Sequence, residues 1–243
     1  MFENDEFNNL DILIFCGGKC GSSTLHKTLL NNGFKTTKVH CNFNFMCLCN
    51  QYNKDKNKTI FDVIDFNKKQ KTIYIIDSYR TPIERKISSF FQNINKHVPD
   101  YEKKSIKELI QLFNKNFLIE LENYKSIDEL FQHYKLPFFK NFDFKNKYNI
   151  LEKGNIKFVK IRFSDIGSWG NILKNIFNKN ITIHNDNLSI QKPTNNVYNE
   201  FKSLYKIPKN SLHKILEKDD DFKIYCTIEE QTKYIKYWES KSY

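Results

Sequence analysis

Alanine does not occur in this chain, and arginine occurs three times, at Arg80, Arg85 and Arg162. Glycine is scarce too, with seven in 243 residues. Basic charge therefore falls almost wholly to lysine, and the heavy use of Asn, Lys, Ile, Phe and Tyr has the look of AT-rich coding. The formal net charge of +11 then says little about partners, because lysine has replaced arginine and alanine on exposed faces. By the same token, rare residues are informative where they cluster.

Two further absences narrow the class. Cys16, Cys20, Cys41, Cys47, Cys49 and Cys226 form no CxxC pair and no regular framework, which fits reduced thiols better than a disulfide scaffold. The opening MFENDEFNN has no basic and apolar leader pattern. The longest strongly apolar run, Ile12 to Cys16, is far short of the ~20 residues of a membrane span. These features predict a cytoplasmic protein without a membrane anchor. The length fits one domain over 1–243.

DILIFC (11–16) is an apolar run ending in Gly-Gly and reads as a buried strand entering a tight turn. A helix from about Ser22 to Asn32 follows, with Leu25, Leu29 and Leu30 on its apolar face and Gly33 as a left-handed cap. KTTKVH (35–40), TIYIID (72–77) and IKFVKIRF (156–163) read as further strands. Pro82 opens a helix whose Ile83, Ile87, Phe90, Phe91 and Ile94 are expected to pack on the sheet. Residues 105–136 read as two inserted helices, each begun by a capping box, at Ser105 with Glu108 and at Ser126 with Glu129. DIGSWGNILKNIF gives another helix, and the tail from Thr227 an amphipathic one carrying Ile235, Tyr237 and Trp238. The Asn/Lys-rich stretches 50–58 and 139–149 read as surface loops. The predicted fold is α/β: a three-layer arrangement with a central parallel sheet flanked by helices, plus a helical insertion.

The segment GGKCGSSTL (17–25) joins the first strand to the first helix. Such a junction suits anions, because first-turn N–H groups and the positive end of the helix dipole face the ligand. Gly17, Gly18 and Gly21 are three of the seven glycines, concentrated where backbone must approach a ligand closely. In the ATP- and GTP-binding loop GxxxxGK[ST] the lysine follows the last glycine. Here Lys19 precedes Gly21, so its ammonium lies within the loop, where it suits a bridging oxygen that gains charge as a neighbouring bond breaks. A glycine-rich turn without a ligand is the plainer alternative. A second segment, SYRTPIERKISSFF, follows the 72–77 strand and holds two of the three arginines.

Together the two segments resemble the diagnostic motifs of the sulfotransferases that use 3'-phosphoadenosine-5'-phosphosulfate (PAPS). The Arg-x-Pro turn looks most like the carbohydrate sulfotransferases and the capsular-polysaccharide group, and the resemblance covers roughly residues 11–95. It implies a P-loop-containing fold and transfer of a sulfuryl group from PAPS to a hydroxyl or amine, by preference of a carbohydrate, with release of 3'-phosphoadenosine-5'-phosphate (PAP). Gly18, Lys19, Cys20, Gly21, Ser22, Ser23 and Thr24 would hold the 5'-phosphosulfate, with Lys19 catalytic. Arg80 and Ser88 would grip the 3'-phosphate, a task suited to a planar guanidinium and a hydroxyl. Ser89 is the adjacent alternative to Ser88, and Arg85 either joins this role or pairs with Glu84 or another acid. Lys192, in NLSIQKPTNNVYNEF, resembles a late segment that folds over the donor, or is a solvated lysine.

Transfer needs a base for the acceptor proton, and His40, at the end of KTTKVH, is the candidate; a strand-end histidine bonded to a loop carbonyl is the alternative. His40, Cys41, Cys47 and Cys49 match no usual zinc spacing, so no metal is expected. Tyr198, Phe201, Tyr205 and Trp238 line an acceptor cleft or, as aromatics at helical spacing usually do, a core. Two other classes remain in view. One is a nucleotide kinase or other P-loop NTPase with Asp77 as its magnesium-binding acid. The other is a basic RNA- or glycan-binding module supported by charge alone. No nucleic-acid partner is expected.

Overall fold

A computed structural model describes residues 1–3, 5–39, 58–118, 126–184 and 194–243. In chain order its elements begin with β1 (Ile12–Phe15), α1 (Ser22–Asn31), β2 (Thr36–Val39), α2 (Ile60–Asn67), β3 (Ile73–Tyr79) and α3 (Pro82–Gln92). Next come α4 (Ile94–His97), α5 (Ile106–Asn116), α6 (Ser126–His133), β4 (Tyr148–Lys153), β5 (Ile156–Arg162) and α7 (Trp169–Phe177). The chain ends with α8 (Asn195–Leu204), α9 (Lys209–Lys218), α10 (Asp220–Tyr225) and α11 (Ile228–Ser240). It divides into two compact units, Met1–Tyr79 with Lys125–Asp186, and Arg80–Tyr124 with Asn187–Tyr243.

The first unit is α/β. Its five strands are ordered β2-β1-β3-β5-β4, parallel except for β4. Every residue of β1 is buried, as expected of a central strand covered on both faces. Period-two alternation sorts the side chains. Ile12, Ile14, Ile76, Val159 and Ile161 share one core with Leu25 and Leu29 of α1 and Trp169, Ile172 and Leu173 of α7. On the other face Phe158 meets Phe131 of α6 and the adjacent Tyr134, and Tyr134 packs edge-on against Phe61 of α2. The sheet is thus flanked by helices on both sides, as expected.

The strand expectations at 35–40, 72–77 and 156–163 are met, with β3 continuing two residues further, to Tyr79. Gly33 ends α1 at φ +84, in the left-handed region its sequence position suggests. Leu30, however, is 51% exposed and plays no part in the apolar face. The larger correction is β4, which begins inside a stretch expected to be loop. It pairs antiparallel with β5 through a two-residue turn, Gly154-Asn155, in which Gly154 has φ +55, the backbone a tight hairpin requires.

The second unit is helical. Ile83, Ile87, Phe90, Phe91 and Ile94, expected against the sheet, belong to a core shared with α5, α8, α9 and α11. Phe113, Phe201, Tyr205 and Trp238 lie at its centre. Capping boxes open α5, from Ser105 with Glu108, and α11, from Thr227 with Glu230. Pro82 takes the first helical position of α3, where a missing N–H costs nothing. Among the described residues no helix is long and apolar enough to cross a membrane.

Candidate anion site at the β1–α1 loop

β1 has β2 on one side and β3 on the other, so the chain leaves β1 in one direction and returns in the opposite one. That reversal opens a crevice at the carboxyl ends of the strands, where open α/β sheets take their ligands. The loop after β1 stands there. It tightens through a bond from Cys20 N–H to Gly17 O, 3.4 Å. Lys19 has φ +69 and Gly21 φ +89, so left-handed residues flank Cys20, and backbone that passes into the left-handed region is the kind from which anion-holding nests are built.

Gly18 and Gly21 do different work. A Cβ on Gly21 would come 2.6 Å from Trp169 Cη2 and 3.0 Å from Phe163 Cδ2. Packing from α7 together with backbone conformation therefore explains Gly21 without a ligand. A Cβ on Gly18 would meet nothing within 4 Å, and Gly18 is exposed, so packing gives no reason for it. The left-handed lysine is weaker testimony, because Lys135 and Lys147 also have positive φ in this lysine-rich chain.

At the start of α1 the N-cap is Gly21, which offers no side chain to the first-turn amides, and no acid stands in that turn. Leu25 N–H bonds Gly21 O at 3.0 Å, the first bond of the helical ladder. Ser22 and Thr24 are buried at 5% and 7% exposure, while Ser23 is half-buried. Ser23 Oγ accepts a 2.9 Å hydrogen bond from the ammonium of Lys38 on β2. Lys38 belongs to neither sequence motif. The available signal was its place in KTTKVH, on the same face as Thr36, near the carboxyl end of the strand beside β1.

The other residues singled out in the sequence fall as follows. Gly18, Lys19, Cys20, Gly21, Ser22, Ser23 and Thr24 are brought together in this loop and helix start. Arg80 follows β3 directly and is half-buried; Ser88 is half-buried and Ser89 exposed on α3. Arg85, Ser88 and Ser89 are spaced i, i+3 and i+4, so they share one flank of that helix. Glu84, a suggested partner of Arg85, accepts from Tyr234 Oη at 2.7 Å and Trp238 Nε1 at 3.2 Å. His40, Lys192 and the cysteines at 41, 47 and 49 lie outside the described residues. Among the described residues no cluster of His, Cys, Asp or Glu is arranged to hold a metal. Phe201, Tyr205 and Trp238 are core, at 0%, 0% and 3% exposure, and Tyr198 packs against Phe91.

Asp77, the acid that a magnesium-dependent NTPase would need, is 2% exposed and bonded to Lys160 Nζ at 2.7 Å. It alternates with Ile76, so it lies on the face opposite α1. The chain matches no family model, no curated protein and no solved structure. The resemblance to sulfotransferases therefore rests on the two sequence motifs.

Proposed function

We propose that the chain is a sulfotransferase that moves a sulfuryl group from PAPS to a hydroxyl or amine of an acceptor, by preference a carbohydrate, and releases PAP. The observation that carries the reading is the β1–α1 loop. It puts a lysine inside the turn rather than after it, ahead of a glycine-capped helix start that no acid occupies. In this reading the loop is a P-loop variant. Lys19 and the amides from Cys20 to Thr24 stabilise the charge that gathers on the bridging oxygen, so that positioning and electrostatics do most of the work. Arg80 and Ser88 take the 3'-phosphate, Lys192 covers the donor, and His40 accepts the acceptor's proton. No step requires a metal.

The NTPase reading loses its one candidate acid to the Asp77–Lys160 pair. A basic RNA- or glycan-binding module is supported only by the +11 charge.

The donor site is tested without an acceptor by thermal stabilisation, since a ligand that binds only the folded state raises the melting temperature. PAP should stabilise the protein where ATP and GTP do not; the reverse order would sink the proposal. Lys19→Ala should lower transfer by about a hundredfold or more and leave the melting temperature of the ligand-free protein close to wild type. Full turnover in that variant would remove Lys19 from the mechanism.

A further inference from the structure

The ammonium of Lys38 stands at the worst place for helix stability. It lies beside the first turn of α1, where the helix dipole repels cations and favours anions, and Ser23 Oγ holds it there at 2.9 Å. Among the described residues no carboxylate neutralises it. A cation set against the dipole is disfavoured there, and an anion lying between the ammonium and the first-turn amides relieves the repulsion.

A second observation comes from the opposite wall of the crevice. Ser78 is 2% exposed, and its Oγ has no hydrogen-bond partner among the described residues. A buried hydroxyl left unpaired is costly, and native proteins seldom keep one without a use. Its position follows from the register. Ile76 pairs with Ile14, and Ser78 lies two residues on, on the same face, level with Cys16 where β1 gives way to the loop. Its side chain therefore projects to the face of the sheet that α1 and α7 cover, at the end of β1 from which the loop departs. Lys38 approaches the start of α1 from β2, on the other side of β1.

We propose that Lys38 and Ser78 complete the anion site of the β1–α1 loop, with the Lys38 ammonium on an oxygen of the ligand's terminal sulfuryl group and the Ser78 hydroxyl paired only when the site is filled. This assignment rests on the donor reading given above. Ser23 is then a positioning residue that holds the ammonium until the ligand takes over one of its three donors.

PAPS and PAP differ only in the sulfuryl group, so comparing them isolates the contact. Lys38→Met keeps the aliphatic stem and removes the charge. It should weaken PAPS binding, measured by calorimetry without acceptor, by about tenfold, as the loss of one charge-assisted hydrogen bond does. PAP binding should change little. Ser78→Ala should weaken PAPS binding by about fivefold, while the ligand-free protein melts no lower than wild type, because the hydroxyl it removes makes no bond there. Equal weakening of both nucleotides by Lys38→Met, or none, would overturn the assignment of Lys38 while leaving the donor reading intact. Unchanged PAPS binding in Ser78→Ala, or a lowered melting temperature in the ligand-free variant, would remove Ser78 from the site. Should the wild-type protein bind neither nucleotide, the donor reading and this assignment would fall together.

Discussion

The two units bury different chemistry. Every buried polar or charged residue among those described lies in the first unit: Asp77, Lys160, Arg162, Asp165, Asn67 and six Ser or Thr. The buried residues of the helical core are all hydrophobic, aromatics prominent among them. Its rings make edge-on and stacked contacts, such as Phe90 on Phe113 at 5.3 Å and Phe201 on Tyr205 at 5.3 Å. A core of that kind has little reason to be polar and little chemistry to offer. The sheet unit carries ionised and hydroxyl groups in its interior, each needing a partner, and several stand near the carboxyl ends of strands. The difference marks the sheet unit as the place to look for a ligand, and the helical core as a product of packing.

The sharpest way to break this contrast is to compare a cavity with a broken charge pair. Phe201 is fully buried and touches Phe90, Phe91, Phe113 and Tyr205. Phe201→Ala should cost about 4 kcal/mol in denaturant unfolding, through lost transfer energy and the cavity left behind. A cost below about 1 kcal/mol would show that the helical core repacks freely. In the sheet unit, Lys160→Met leaves Asp77 buried without its counter-charge and should cost about 3 kcal/mol. The double variant Asp77→Leu, Lys160→Met should recover most of that, because both charges go together. If it recovers nothing, the pair does more than neutralise itself, and the contrast with the apolar core weakens.

Sequence and structure agree best where a signal is local. Pro82, the box at Ser105, the cap at Gly33 and the apolar run 12–15 each fix an element by short-range sterics or hydrogen bonding, and each stands where it was expected. What the sequence hides depends on distant partners. β4 is an edge strand with only half-buried or exposed residues, so it lacks the apolar run that reveals a central strand. Gly154-Asn155 was its one local signature. The helix from Pro82 is amphipathic in sequence and in structure, but periodicity names the buried face and not what covers it. For the candidate site, the glycine loop was legible because glycine is rare here. Lys38 was hidden by the abundance of lysine, and Ser78 by the fact that a missing partner leaves no mark in a sequence.

The smallest effect tests whether the contrast between the units stops at their cores. Helix caps are local and should behave alike in both. At α2 of the sheet unit, Thr59 Oγ1 accepts from Asp62 N–H at 3.3 Å, and Asp62 Oδ2 accepts from Thr59 N–H at 2.7 Å. At α5 of the helical unit, Ser105 and Glu108 exchange the same bonds at 3.3 and 2.8 Å. Thr59→Ala and Ser105→Ala should each cost about 1 kcal/mol at neutral pH. The Thr59 backbone N–H, more than its hydroxyl, holds the Asp62 carboxyl below its usual value of 3.8. A carboxyl depressed in the folded state contributes stability that is complete above that usual value and is lost as pH falls through the folded one. Asp62→Asn should therefore lower the melting temperature at pH 7 and match wild type near pH 2, whereas Thr59→Ala should keep most of the acid sensitivity because the backbone donor remains. An Asp62→Asn deficit that persists undiminished at pH 2 would mean that the carboxylate's charge is not what stabilises the start of α2.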